Sequence, residues 1–129
     1  MYKILIVEDQ ELLLKTIIHR LAKEQYEVAF ATDGLSAKEK FLAFKPDLVI
    51  TDLLLPFATG FELIQFIRYD QNSHVPIIVL TAMDTDEPLQ EAFNLGADDY
   101  VIKPFRPIEL LARIQRFLKK NTGFTQMSA

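Results

Sequence analysis

Five side chains in this sequence suit phosphate or hard-metal chemistry, and each closely follows an apolar run. Ile4-Leu5-Ile6-Val7 leads into Glu8 and Asp9, and Leu48-Val49-Ile50-Thr51 leads into Asp52. Ile77-Ile78-Val79-Leu80 leads into Thr81, and Tyr100-Val101-Ile102 leads into Lys103. Two carboxylates about 4 Å apart repel by roughly 4 kcal/mol at an effective dielectric of 20. Such a group needs a proton or a cation. Oxygen donors without His or Cys suit Mg²⁺, or a similar hard ion such as Mn²⁺. Magnesium keeps waters and accepts phosphate oxygens, so the acids point to phosphate chemistry with Asp52 as a candidate nucleophile. Thr81 can donate to a phosphoryl oxygen and Lys103 can neutralise another. Taken singly, Asp9 reads as an N-cap for a helix from Gln10, Thr81 as a turn residue and Lys103 as a solvated charge. Capping explains less well why all of them follow apolar runs.

The elements that would position these groups are a parallel sheet and its helices. Short continuous apolar runs mark strands buried on both faces, and Glu27-Val28-Ala29-Phe30 supplies a fifth. Neighbouring strands lie about 4.8 Å apart, so acids ending adjacent parallel strands face one crevice at the carboxyl edge. Lys103, starting two strands away, reaches in on its long stem. Between the runs, apolar residues recur at helical spacing: Leu13, Ile17, Ile18 and Leu21; Ala37, Phe41 and Phe44; Leu63, Ile64 and Ile67; Leu89, Ala92 and Phe93; Leu111, Ile114 and Leu118. Asp33-Gly34, Lys45-Pro46, Pro56 and Gly60 mark turns. Asp84 to Pro88 offers caps and an acidic first turn to the fourth helix, which Gly96 closes. Strict strand–helix alternation predicts a doubly wound α/β fold with five parallel strands and five helices.

The 129 residues are enough for one domain with a substantial core. Half are apolar, a quarter are charged and none is Cys, which removes disulfides, thiolate metal sites and cysteine nucleophiles. A net charge of −4 argues against direct nucleic-acid binding. With no membrane-length apolar stretch and no signal-peptide pattern, a cytoplasmic module is expected. The four glycines are too dispersed for a nucleotide-binding phosphate loop, and acids facing a flavin phosphate would repel it. Residues 1–120 read as the domain and 121–129 as a polar tail or the start of a linker.

From residue 2 to 119 the chain resembles the receiver domain of two-component response regulators. The resemblance rests on Lys3-Ile-Leu-Ile-Val-Glu8-Asp9, Asp52-Leu-Leu-Leu-Pro56 with Gly60, Leu80-Thr81-Ala82, and Gly96-Ala-Asp-Asp-Tyr100-Val-Ile-Lys103-Pro104-Phe105. It implies the flavodoxin-like strand order 2-1-3-4-5. It implies Asp52 as phosphoacceptor, with Asp9, Asp52 and the Leu54 carbonyl holding Mg²⁺ and Glu8 supporting it through water. Thr81 and Lys103 would hold the phosphoryl group, Tyr100 would move with Thr81, and Lys103-Pro104 would be cis. The partner would be a sensor histidine kinase or a phosphotransfer protein, and the domain would catalyse only its own phosphorylation and dephosphorylation. Phosphorylation would shift the face of the fourth helix, fifth strand and fifth helix to control an output. Leu54 and Met83 fall where the family tunes phosphoryl loss. An aspartate-nucleophile phosphatase would need a second acid at Leu54. A receiver-like interaction domain acting without phosphorylation is the alternative.

The run from Lys103 to Ile114 is similar to receivers joined to winged-helix DNA-binding domains, which dimerise through ion pairs on that face. Asp98 or Asp99 would pair with Arg113 across such a homodimer. Against it, Asp84 to Gly96 holds four acids and no Lys or Arg. Phe57, bulky and apolar beside the crevice, reads either as a partner contact or as a residue folded over its own loop. His19 and His74 stand apart from the cluster.

Overall fold

The computed structural model describes residues 1–119, so the expected tail at 121–129 lies outside the described residues. The elements alternate as expected: β1 (Lys3–Val7), α1 (Glu11–Lys23), β2 (Glu27–Ala31), α2 (Gly34–Phe44), β3 (Leu48–Thr51), α3 (Gly60–Gln65), β4 (Ile77–Thr81), α4 (Asp86–Leu95), β5 (Asp99–Ile102) and α5 (Pro107–Phe117). All strand pairs are parallel, in the order β2-β1-β3-β4-β5. β2 lies on one side of β1 and all later strands on the other. Right-handed crossovers therefore send α1 to one face and α2, α3 and α4 to the opposite one.

The period-2 alternation of a strand divides the core accordingly. Ile4, Ile6, Leu48, Ile50, Ile78, Leu80 and Val101 pack against α1 and against Leu110, Leu111 and Ile114 of α5. Leu5, Val7, Val49, Val79 and Tyr100 pack with Phe41 of α2, Leu63, Ile64 and Ile67 of α3 and its extension, and Ala92 of α4. Fully burying one such side chain contributes about 1.5–3 kcal/mol.

Local chemistry sets most boundaries. Asp33 caps α2, its carboxylate accepting from Ser36 N at 2.7 Å, and Thr59 and Glu62 form a reciprocal capping box on α3. Lys45, at φ 53°, closes α2 in the left-handed region. α3 runs on as a π-helical turn over Phe66–Asp70 that the sequence periodicity does not reveal. The caps expected for α4 are only partly realised. Thr85 occupies the N-cap without a side-chain hydrogen bond, while Asp86 and Glu87 fill the first turn. Phe93 is 41% exposed and rests against the Tyr100 ring, so the stripe expected on α4 is buried only at Ala92.

Candidate functional site

Backbone pairing brings the expected residues to one level. Val7 pairs with Thr51, and Asp52 N donates to Val7 O at 3.1 Å, so Glu8 and Asp52 leave adjacent strands side by side. Thr81 pairs with Ile102, and Lys103 N donates to Thr81 O at 2.9 Å. The junction between β1 and β3 is where the strand order reverses, the position at which open α/β sheets bind ligands. Gly60 makes the approach possible, because a Cβ there would lie 2.0 Å from Asp52 O.

Asp52, 6% exposed, has both carboxylate oxygens engaged. Oδ1 accepts from Leu53 N at 2.6 Å and Leu54 N at 3.2 Å, and Oδ2 accepts from Lys103 Nζ at 2.8 Å. The same ammonium lies 2.7 Å from Oε1 of Glu8, whose other oxygen accepts from Gln10 N at 3.0 Å. Asp9 is exposed and is not the N-cap of α1; that position belongs to Gln10. Carboxylate oxygens of Glu8, Asp9 and Asp52 all lie within 4.8 Å of one another.

Three acids thus face one close cation. Burial pushes the Glu8 pKa up, with Lys103 and the Gln10 amide pulling against it. Burial alone would lower the pKa of Lys103, but its bonds to Asp52 and Glu8 outweigh that and hold it above the usual lysine range. The excess of negative charge and the all-oxygen donor set suit a hard divalent cation, so this cluster could hold a metal. Thr81 Oγ1 is buried and has no hydrogen-bond partner. A buried hydroxyl left unpaired costs about 1–3 kcal/mol, which an incoming oxygen ligand would recover.

The residues expected at switch and tuning positions lie on the segments around this crevice. Tyr100 is buried and its hydroxyl donates to the Met83 carbonyl. Its pKa is raised by burial and by the charges of Asp52 and Asp84. Leu54 is 60% exposed, and Met83 is partly buried. The Lys103-Pro104 bond is cis. The two acids considered for a dimer both find partners within the chain. Asp99 accepts from Arg113 at 2.7 Å, and Asp98 accepts from Arg68 at 2.8 Å and from Ile77 N at 2.8 Å. No local signal marks Arg68, whose contacts span the π-helical turn and the end of α4. His19 and His74 are exposed, away from the cluster.

Five parallel strands in this order, with acids, a threonine and a lysine gathered at their carboxyl edge, define an α/β signalling domain of the receiver type. The family model for the response regulator receiver domain matches residues 4–115. The response regulator ArlR of Staphylococcus saprophyticus is 42% identical over 120 residues, covering 93% of this chain and 54% of that protein. The probable transcriptional regulator ycf27 of Guillardia theta is 43% identical over 118 residues, covering 92% of this chain and 46% of that protein. The chain thus spans about half the length of these curated relatives. The chemotaxis response regulator CheY4 of Vibrio cholerae superposes with a TM-score of 0.84 at 36% identity, covering 92% of this chain and 99% of that one. The magnesium-bound receiver domain of the sensor histidine kinase PA1611 from Pseudomonas aeruginosa gives 0.82 at 32% identity, covering 90% and 96%. This chain belongs to the response regulator receiver domain family, the phosphoacceptor modules of two-component signalling. Among the described residues no helix is long and apolar enough to cross a membrane.

Proposed function

We propose that Asp52 accepts a phosphoryl group from the phosphohistidine of a sensor histidine kinase or phosphotransfer protein, or from a small phosphodonor, in the cytoplasm. The observation that carries this is the company Asp52 keeps: the Lys103 ammonium at 2.8 Å and the unpartnered buried hydroxyl of Thr81 at the same strand edge. An Asp52 carboxylate oxygen attacks phosphorus in line as the donor's P–N bond breaks, and the bonding pair leaves on the imidazole nitrogen. Catalysis of this kind is mostly positioning and electrostatics. The Leu53 and Leu54 amides orient the carboxylate, Lys103 moves from Asp52 to a phosphoryl oxygen, and Thr81 donates to another. Asp9, Asp52 and the Leu54 carbonyl would hold Mg²⁺, or Mn²⁺, with Glu8 supporting it through water. The ion would supply the positive charge that the acids and the phosphoryl oxygens lack. That PA1611 coordinates magnesium in its active-site cleft supports this choice. Residues 1–120 act as the domain, which catalyses only its own phosphorylation and dephosphorylation.

The Thr81 hydroxyl and the Tyr100 ring link the phosphoryl group to the face of α4, β5 and α5, where the output change takes place. An ion-paired homodimer through this face is the weaker reading. α4 carries no basic residue, and Arg113 is already paired with Asp99. Leu54 and Met83 offer no side-chain donor or acceptor suited to orienting an attacking water, so the phosphorylated form is long-lived.

Incubation with acetyl phosphate and Mg²⁺, followed by intact mass, tests the proposal. One added phosphoryl group is expected, absent from Asp52→Asn and from a magnesium-free sample. No addition to a folded, Mg²⁺-bound protein would favour a domain that binds without phosphorylation. In the same assay after desalting, Leu54→Asn with Met83→Glu is expected to shorten the phosphoryl lifetime.

A further inference from the structure

The loop leaving Asp52 begins with the Leu53 and Leu54 amides on that carboxylate and closes at Gly60, against the Asp52 carbonyl. Phe57 sits between these two anchors. Its φ is 69°, and Ala58 N donates to Pro56 O at 2.8 Å around it. This is a γ-turn of the positive-φ kind, the rare and strained form. A bulky residue in the left-handed region is an outlier, and Gly or Asn would occupy it more easily.

The surroundings enforce the turn. Pro56 O also accepts from Gly34 N at 3.2 Å, and a Cβ at Gly34 would lie 1.9 Å from Ala58 O. The turn is thereby fixed between the N-termini of α2 and α3. The ring does not fold over its own loop, since Phe57 is 87% exposed. Strained in its backbone and unburied in its side chain, Phe57 adds little to folding. An observed outlier of this kind beside a reactive group points to function.

Its position suggests which function. Phe57 is five residues from Asp52, a reach of about 17 Å at most and less in a folded loop. Leu54, 60% exposed, lies in the same loop, and Leu12, 81% exposed, lies in the first turn of α1 beyond the adjoining strand β1. The charged crevice therefore has an apolar rim. A small phosphodonor reaches Asp52 without touching that rim, whereas a protein carrying a phosphohistidine must cover it.

Taking Asp52 as the acceptor, we infer that Phe57 is the specificity-determining anchor for the protein phosphodonor, inserting into an apolar pocket beside its phosphohistidine. An aromatic on a backbone already held in place has less freedom to lose on docking, and aromatic residues anchor the centres of tight interfaces. Leu54 and Leu12 add exposed apolar surface at the same edge of the sheet.

Phe57→Asn and Phe57→Gly suit the turn and remove the ring, so both should melt no lower than the unaltered protein. Each would be labelled with acetyl phosphate. Each would also be labelled by the histidine-kinase transmitter domains of the source genome, autophosphorylated with ATP. Equal labelling by acetyl phosphate is expected, with transfer from the fastest transmitter domain slowed at least tenfold. Unchanged transfer from that domain overturns the inference, as does a wild-type protein that acetyl phosphate labels and no transmitter domain does. Variants that fail with acetyl phosphate would instead place Phe57 in the chemistry, which also overturns it. Failure of the unaltered protein with every donor would overturn the reading of Asp52 itself.

Discussion

At the carboxyl edge of the sheet Lys103 faces more carboxylate than it can neutralise, whereas at the amino edge each of the three nitrogens of Arg68 has an acceptor. Arg68 donates to Gly96 O and Ser73 O, both at 3.0 Å, and to Asp98 at 2.8 Å. Asp98 in turn accepts from Ile77 N, and Asp47 exchanges two 2.7 Å bonds with the backbone of Lys3. Arg68, Asp98 and Asp47 on the amino edge are spent on one another and on the backbone, and hold strands in place. The polar groups on the carboxyl edge leave surplus charge and an unpaired hydroxyl, which a bound cation and an incoming oxygen ligand would balance. Buried polar groups stabilise when satisfied and invite binding when they are not.

Three substitutions probe this contrast, from the largest effect to the smallest. Lys103→Met is expected to slow labelling by acetyl phosphate on the order of 10²–10³-fold, read by intact mass. It also strips Glu8 of its counter-charge. Glu8 is an acid whose folded pKa is already raised by burial. The stability deficit should be absent below its unfolded pKa and grow as pH rises through the folded one, which melts at about pH 4 and about pH 8 would show. Arg68→Ala should lose about 3 kcal/mol in urea unfolding while the folded protein is labelled at an unchanged rate. A labelling defect without a stability loss would break the division between the edges.

Asp33→Ala sharpens it. Asp33 follows β2 on the carboxyl edge, yet its oxygens serve Ser36 N at 2.7 Å and Ser36 Oγ at 2.9 Å. Those bonds hold its pKa below the usual carboxylate range. The stability it contributes is present above the unfolded pKa and lost as pH falls through the depressed folded one. A small drop in melting temperature near neutral pH should therefore vanish in acid, with labelling unaffected.

Four of the strands were legible because burial leaves continuous apolar runs, whereas the edge strand β2 is largely unburied; the crevice was legible because those four runs lead into chemically matched residues. What the sequence hid depends on partners distant along the chain or on a single backbone angle. Lys103 holds Glu8 as well as Asp52, Arg113 closes on Asp99 inside the chain, and Arg68 ties α3's extension to α4. None of these pairings leaves a periodic trace. Asp9 shows the local ambiguity, since an acid after a strand reads equally as cap or ligand until Gln10 is seen at the cap. The π-helical turn and the exposure of Phe57 likewise follow from packing, not from residue type.

The order of the elements along the chain has a consequence for synthesis. The acids of the crevice emerge with the first and third strands, while their cation arrives only after the fifth. A nascent chain grows from its N-terminus, so any piece ending before Lys103 carries Glu8, Asp9 and Asp52 without the ammonium that brings two of them together. On the chemistry proposed above, a ribosome-stalled or clipped chain that ends before Lys103 is expected to be a poor phosphoacceptor, so competence to receive the signal would require the fifth strand to have been made.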